Sequence, residues 1–310
     1  PQRWRRAARA ASIVVKEEHI MKRTLQTLTL LGTLLLAGAS HAAAPTAFKV
    51  DVTGQGRPVV LIPGLASSGE VWQGTVARLC GPQAGRQCHV LTLAGFAGVA
   101  PVAGDVLAQA EQQLAEYIVA HKLGQPAIIG HSLGGFLALK LAIDHPQQAG
   151  KLVIVDSLPA LGATQMPSAT PQQLQAMSAQ MQAAMRAQDA ATASASQRRT
   201  VAAMASAPAD VERIIGWGQR SDRETVISAM GSLMASDLRQ DVARITSPTL
   251  VLGTWIAYKD YAPRATIEQT FRSQFAQLPG ARIEMADTAR HFIMYDEPDW
   301  MFGRIEQFLN

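Results

Sequence analysis

From residue 48 to the end of the chain, short apolar β-branched runs alternate with stretches whose apolar residues recur every three or four positions. "FKVDV" and "PVVLIPG" read as strands joined by the turn "TGQG", and "CHVLTLAG" as another short strand. In "GDVLAQAEQQLAEYIVAHKLG" the apolar residues Leu107, Ala110, Leu114 and Ile118 keep helical spacing, and Gly124 ends the run. Strand "AIIG", helix "GGFLALKLAIDH" stopped by Pro146, and strand "KLVIVD" follow. Strand "TLVLG", a helix around "IEQTFRSQFAQL", strand "ARIEM" and a closing helix from Pro298 complete the series. Strands alternating with helices, several of them apolar on both faces, predict an α/β fold: a mostly parallel, doubly wound sheet covered on both sides.

Residues 159 to about 247 break the pattern. They are rich in Ala, Gln, Met and Ser, poor in aromatics, and carry no convincing strand. The expectation is a helical insertion above the sheet, with "PTLVLG" marking the return. Met177, Met181 and Met185 fall four apart on one helix face. They either pack the insertion onto the main domain or give an apolar pocket a pliable lining.

The first 44 residues stand apart. From Met21, a basic start (Lys22, Arg23), an apolar run and then small residues form the pattern of a secretory signal peptide over 21–44, with cleavage after Ala42 or Ala44. The apolar run is too short for a membrane span. Residues 1–20 precede that start, and "KEEHIM" can be back-translated into a purine-rich ribosome-binding sequence followed by a start codon. They are read as a non-native upstream extension, leaving 45–310 as the folded domain. Residues 1–44 hold seven Lys/Arg and two acids; taking these from the chain's 28 and 24 leaves 21 basic and 22 acidic residues, a net of −1. The basic excess thus belongs to the leader, which removes the electrostatic case for nucleic acid or an anionic membrane as a partner. Export also sets the redox compartment, so Cys80 and Cys88, closing a Gly/Pro-rich loop, are expected to form a disulfide. The expected location is periplasmic or secreted.

The chemistry centres on Gly130-His131-Ser132-Leu133-Gly134, a G-x-S-x-G pentapeptide with a strand before it and a helix after it. A sharp turn there lifts the serine hydroxyl above the sheet, and the free N–H groups of the helix start can hold negative charge beside it. A serine nucleophile needs a base. Of the seven histidines, His19 and His41 lie in the leader, and His131 adjoins Ser132 with its side chain directed elsewhere. His145 is about 20 Å along the nucleophile helix. His89 and His121 precede the serine. The candidate that remains is His291, on the loop between the last strand and the last helix.

These features resemble the α/β-hydrolase family over roughly residues 48–310. Gly130 to Gly134 match its nucleophile motif, "HFIMYDEPDWMFGRIEQFL" its histidine loop and final helix, "LIPGLASSGEVW" its oxyanion loop, and the helical insertion its cap. The resemblance implies the backbone N–H groups of Leu65 and Leu133 as the oxyanion hole. For the triad acid it implies Asp260, in "LGTWIAYKDYAP" after the strand "TLVLG", with Asp156 at the end of "KLVIVD" as the runner-up.

The expected function is an exported serine hydrolase that cleaves carboxylic esters of small or medium apolar substrates through Ser132, His291 and Asp260 and an acyl-enzyme. Lactonase, thioesterase or amidase activity would use the same triad, and a catalytically silent ligand-binding relative is the alternative from another class. No H-E-x-x-H or similar cluster calls for a metal, and no cofactor is implied.

Overall fold

The central strands between residues 59 and 253 owe their place to apolar runs with two usable faces. Our computed structural model describes residues 46–164 and 166–310; the expected upstream extension and signal peptide lie outside the described residues. Strands β1 (Phe48–Gly54), β2 (Arg57–Ile62), β3 (Arg86–Leu93), β4 (Ala127–His131), β5 (Leu152–Val155), β6 (Thr249–Gly253) and β7 (Arg282–Met285) form one sheet in the order β1-β3-β2-β4-β5-β6-β7. Only β1, at the edge, is antiparallel to its neighbour.

Side chains alternate between two cores along each central strand. Val60, Ile62, Ile128, Leu152, Ile154 and Val251 join one buried cluster, and Val59, Leu61, Ile129, Val153, Val155, Leu250 and Leu252 the other. This alternation explains why β2, β4, β5 and β6 carry apolar runs: from Val59, Ile128, Leu152 and Thr249 onward each strand residue is buried, whichever way it points.

Helices cover both faces. The first cluster takes Leu107, Ala110, Leu114 and Ile118 from α2 (Val106–Ala120), with much of α3 (Leu133–Asp144) and Phe271 of α8 (Arg264–Gln274). The second takes Leu79 of α1 (Gln73–Leu79), and Met301, Ile305 and Leu309 of α9 (Pro298–Leu309). The spacing read from the α2 sequence is therefore its buried face, and Asp105 caps its N-terminus by accepting from the Leu107 and Ala108 N–H groups.

The described residues of 159–247 contribute helices and no strand: α4 (Pro171–Ala187), α5 (Ala190–Met204), α6 (Pro208–Gln219) and α7 (Arg223–Ala235). They straddle the two cores. Ala229 and Leu233 of α7 enter the first cluster; Val201 of α5 and Ile214, Ile215 and Trp217 of α6 enter the second. Met177, Met181 and Met185 on α4 are half-buried and outside both clusters; the buried residues of α4 are Leu174 and Ser178. Cys80 and Cys88 are joined in a disulfide between the end of α1 and β3.

Candidate active site

Three glycines are needed where β4 turns into α3 because backbone, or for Gly135 the Ser157 side chain, passes too close for a Cβ. A Cβ on Gly130 would overlap the Gly134 carbonyl, one on Gly134 the Ile62 and Pro63 carbonyls, and one on Gly135 would lie 2.6 Å from Ser157 Cβ. The elbow is thus wedged between the ends of β2 and β5. Ser132 takes φ 53° and ψ −120°, a conformation a non-glycine residue rarely holds without surrounding constraint, and sits at the N-cap of α3. Its own N–H donates to Val155 O (2.9 Å), fixing the elbow against the end of β5.

Asp156, the residue after that carbonyl, also has a positive φ, 44°. Its N–H donates to Leu252 O (2.7 Å) and its Oδ1 accepts the Thr254 N–H (3.0 Å), so both strand ends orient the carboxylate. Its Oδ2 lies 2.6 Å from His291 Nδ1. A carboxylate only accepts, so Nδ1 of His291 carries the proton between them, and in the neutral ring Nε2 keeps its lone pair. The two side chains are 21% and 11% exposed, largely shielded yet reachable.

The structure thus puts Asp156, and not Asp260, on His291. Asp260 lies in an exposed turn and makes no hydrogen bond or ion pair among the described residues. After β6 the chain runs through a short helical turn, Ile256–Tyr258, and carries Asp260 out to solvent before α8 starts. Thr254, nearest the strand end, contributes its N–H to Asp156 instead.

Leu133 opens α3, where the first N–H groups have no intrahelical acceptor. Leu65 stands in a tight turn in which Ser67 N–H donates to Gly64 O (3.2 Å) and Ser67 Oγ to Leu65 O (3.2 Å); the next residue, Ala66, has φ 54°. Neither the Leu65 nor the Leu133 N–H donates to another group among the described residues. The turn lies against the elbow, since a Cβ on Gly64 would come within 3.2 Å of Ser132 Cβ.

His131 points beneath His291, a direction not visible in the sequence. Its ring is fully buried, 4.5 Å from the His291 ring and 4.8 Å from that of Phe292, with Trp72 edge-on at 6.5 Å. Its Nε2–H donates to the His291 carbonyl (3.0 Å), leaving Nδ1 buried without a partner. Burial, aided by the neighbouring His291, pushes its pKa well below the ordinary histidine value and keeps the ring neutral. Thr254 and His131 are the supporting residues that the sequence motifs passed over. The described residues contain no cluster of His, Cys, Asp and Glu suited to a metal ion.

The family model for the alpha/beta hydrolase family matches residues 59–304. The chain belongs to the α/β-hydrolases. A pimeloyl-[acyl-carrier protein] methyl ester esterase of Aeromonas hydrophila is 29% identical over 268 residues, covering 84% of this chain and 98% of that protein. Among solved structures, a hydrolase from Pseudomonas aeruginosa superposes with a TM-score of 0.71 at 19% identity, covering 88% of this chain and 100% of its own. The enol-lactonase from Burkholderia xenovorans reaches 0.67 at 17% identity, covering 84% and 96%. Those two likenesses speak for the α/β-hydrolase fold alone, while the relatives as a group are hydrolases. No described helix is long and apolar enough to cross a membrane.

Proposed function

We propose that this α/β-hydrolase is an exported serine esterase, with Ser132 as nucleophile, His291 as base and Asp156 as the acid. The observation that carries the reading is the 2.6 Å His291 Nδ1–Asp156 Oδ2 contact beside a serine held at positive φ. Ser132 Oγ attacks the ester carbonyl and passes its proton to His291 Nε2, while Asp156 accepts the Nδ1–H and stabilises the imidazolium. The Leu65 and Leu133 N–H groups take the oxyanion. Collapse breaks the bond to the alkoxy group, which leaves as alcohol with the proton from His291. Water then repeats the sequence on the acyl-enzyme and releases the acid. Half-buried Leu65, Leu158, Leu161 and Trp255, on loops leaving β2, β5 and β6, favour a small or medium apolar acyl or alkyl group. The likeness to a methyl ester esterase supports an ester substrate. Export is supported by the signal-like pattern of residues 21–44 and by the Cys80–Cys88 disulfide.

The test is labelling with a fluorophosphonate probe, with peptide mapping of the adduct, followed by turnover of nitrophenyl esters of graded chain length and of a simple lactone. A probe adduct on Ser132 and ester turnover support the proposal. Absence of both rejects it, and faster lactone than ester opening moves the substrate class.

A further inference from the structure

The loop that carries His291 is tied to the helical insertion more heavily than its own short course requires. Three cap residues around the end of α5 reach it: Ala202 O accepts the Arg290 guanidinium (2.8 Å), Met204 O accepts the Phe292 N–H (3.1 Å), and Ser206 meets Asp296 twice. Ser206 N–H donates to Asp296 Oδ1 (2.9 Å) and Ser206 Oγ to Oδ2 (3.0 Å). The same Oδ2 accepts the Arg290 N–H (2.8 Å), so one carboxylate joins the cap to the residue just before His291.

The peptide groups before Arg290 and after His291 are therefore held from three sides. Asp296 takes the N–H of Arg290, His131 takes the carbonyl of His291, and the cap takes the N–H of Phe292. Arg213 of α6 adds a cation–π contact, 5.5 Å from the Tyr295 ring. If the α5–α6 turn lifted away, Asp296 would lose both Ser206 donors, Phe292 its acceptor and Arg290 its carbonyl partner. His291 would then be located by Asp156, by His131 and by an Asp296 carboxylate no longer anchored to anything outside its own loop.

We propose that Asp296 is a positioning residue that makes the placement of His291 conditional on the seating of the α5–α6 turn. Seating the cap and placing the base are then one event. By reciprocity, a substrate that holds the cap down also tightens the base. The proposal rests on Ser132 being the nucleophile and His291 its base.

The experiment follows the rate at which a fluorophosphonate probe labels Ser132, together with kcat and KM on a nitrophenyl ester, well below each variant's melting temperature. Asp296→Ala should label about ten-fold more slowly than wild type, with kcat lowered and KM raised. Asp296→Asn, which keeps one oxygen acceptor, should recover part of that loss, a graded rescue that mere loss of stability does not produce. Glu212→Ala breaks the Arg198–Glu212 pair within the cap, away from the histidine loop, and should label at the wild-type rate. Arg290→Ala cuts only the Ala202 tie and serves if Asp296→Ala does not fold; it should label about three-fold more slowly. Wild-type labelling rates in folded Asp296→Ala, or in Arg290→Ala where the former fails to fold, overturn the coupling while leaving the nucleophile intact. A wild type that is not labelled overturns the serine mechanism and the coupling with it.

Discussion

Replacing Asp156 by Asn tests the site most directly, because the structure dictates which way the new amide must turn. The carboxylate accepts two hydrogen bonds, from the Thr254 N–H at 3.0 Å and from His291 Nδ1–H at 2.6 Å. Asn has one acceptor oxygen and one NH₂ donor, so it satisfies one of the two and opposes the other. The Thr254 N–H is fixed in the backbone beyond β6 and keeps the oxygen. The NH₂ then faces His291 Nδ1, which can accept only if its proton moves to Nε2, the nitrogen that receives the Ser132 proton in the mechanism we propose. Asn tolerates φ 44° as well as Asp does, so the backbone has no reason to shift. Loss of the correct tautomer is worth about 10⁴ in kcat, or about 5.4 kcal/mol of barrier. Asp260→Asn, in an exposed turn with no partner among the described residues, should change kcat less than about two-fold. Steady-state kinetics on one nitrophenyl ester, with circular dichroism to confirm folding, gives both numbers. The reasoning is refuted if Asp156→Asn keeps more than about a tenth of wild-type kcat, or if Asp260→Asn loses more than Asp156→Asn.

Ser132→Ala should lower kcat by about 10⁴ to 10⁶ and abolish fluorophosphonate labelling, with a melting temperature near that of wild type; residual turnover near the wild-type rate would remove Ser132 from the chemistry. Thiol titration of the denatured, unreduced protein should find no free thiol, and reduction of Cys80–Cys88, an eight-residue separation, should lower stability by about 2–3 kcal/mol. Two titrated thiols before reduction would contradict the bond. His131 has its folded-state pKa pushed below the ordinary 6.5 by burial, so its protonation favours the unfolded chain. Its contribution is complete above about pH 6.5 and lost as pH falls toward the folded value, with a slope of up to about 1.4 kcal/mol per pH unit. Urea unfolding at pH 7 and pH 5 should therefore show a smaller acid loss for His131→Gln than for wild type, and an equal loss would show that His131 does not titrate on unfolding.

The sheet was legible because β2, β4, β5 and β6 are buried on both faces, and that condition writes itself as continuous apolar runs. The elbow was legible for a steric reason: Gly130, Gly134 and Gly135 each meet backbone or Ser157 where a Cβ would go. His291 could be found by elimination. The ties to Ala202, Met204 and Ser206 could not, since they are backbone and small-polar contacts between segments some 90 residues apart with no motif of their own. The direction of the His131 ring was hidden likewise, because it depends on where the His291 carbonyl comes to lie.

The choice between the two aspartates shows where pattern stops and geometry decides. β5 lies between β4 and β6, with Val155 paired to His131 on one side and to Leu252 on the other. A carboxylate one residue beyond β5 therefore sits between the Ser132 turn and the end of β6, and one just beyond β6 is a single strand spacing farther, about 4.8 Å. Either strand end could serve a histidine loop that spans both, which is why spacing alone admits Asp156 and Asp260. What separates them is how far each strays from its strand. Asp156 follows Val155 directly and is held by the N–H of Thr254, whereas Asp260 is seven residues past Gly253 on a loop that turns to solvent. The positive φ of Asp156 fits the same account. A strand continued in β geometry would send the next side chain along the sheet normal, and the turn at Asp156 instead brings the carboxylate to His291.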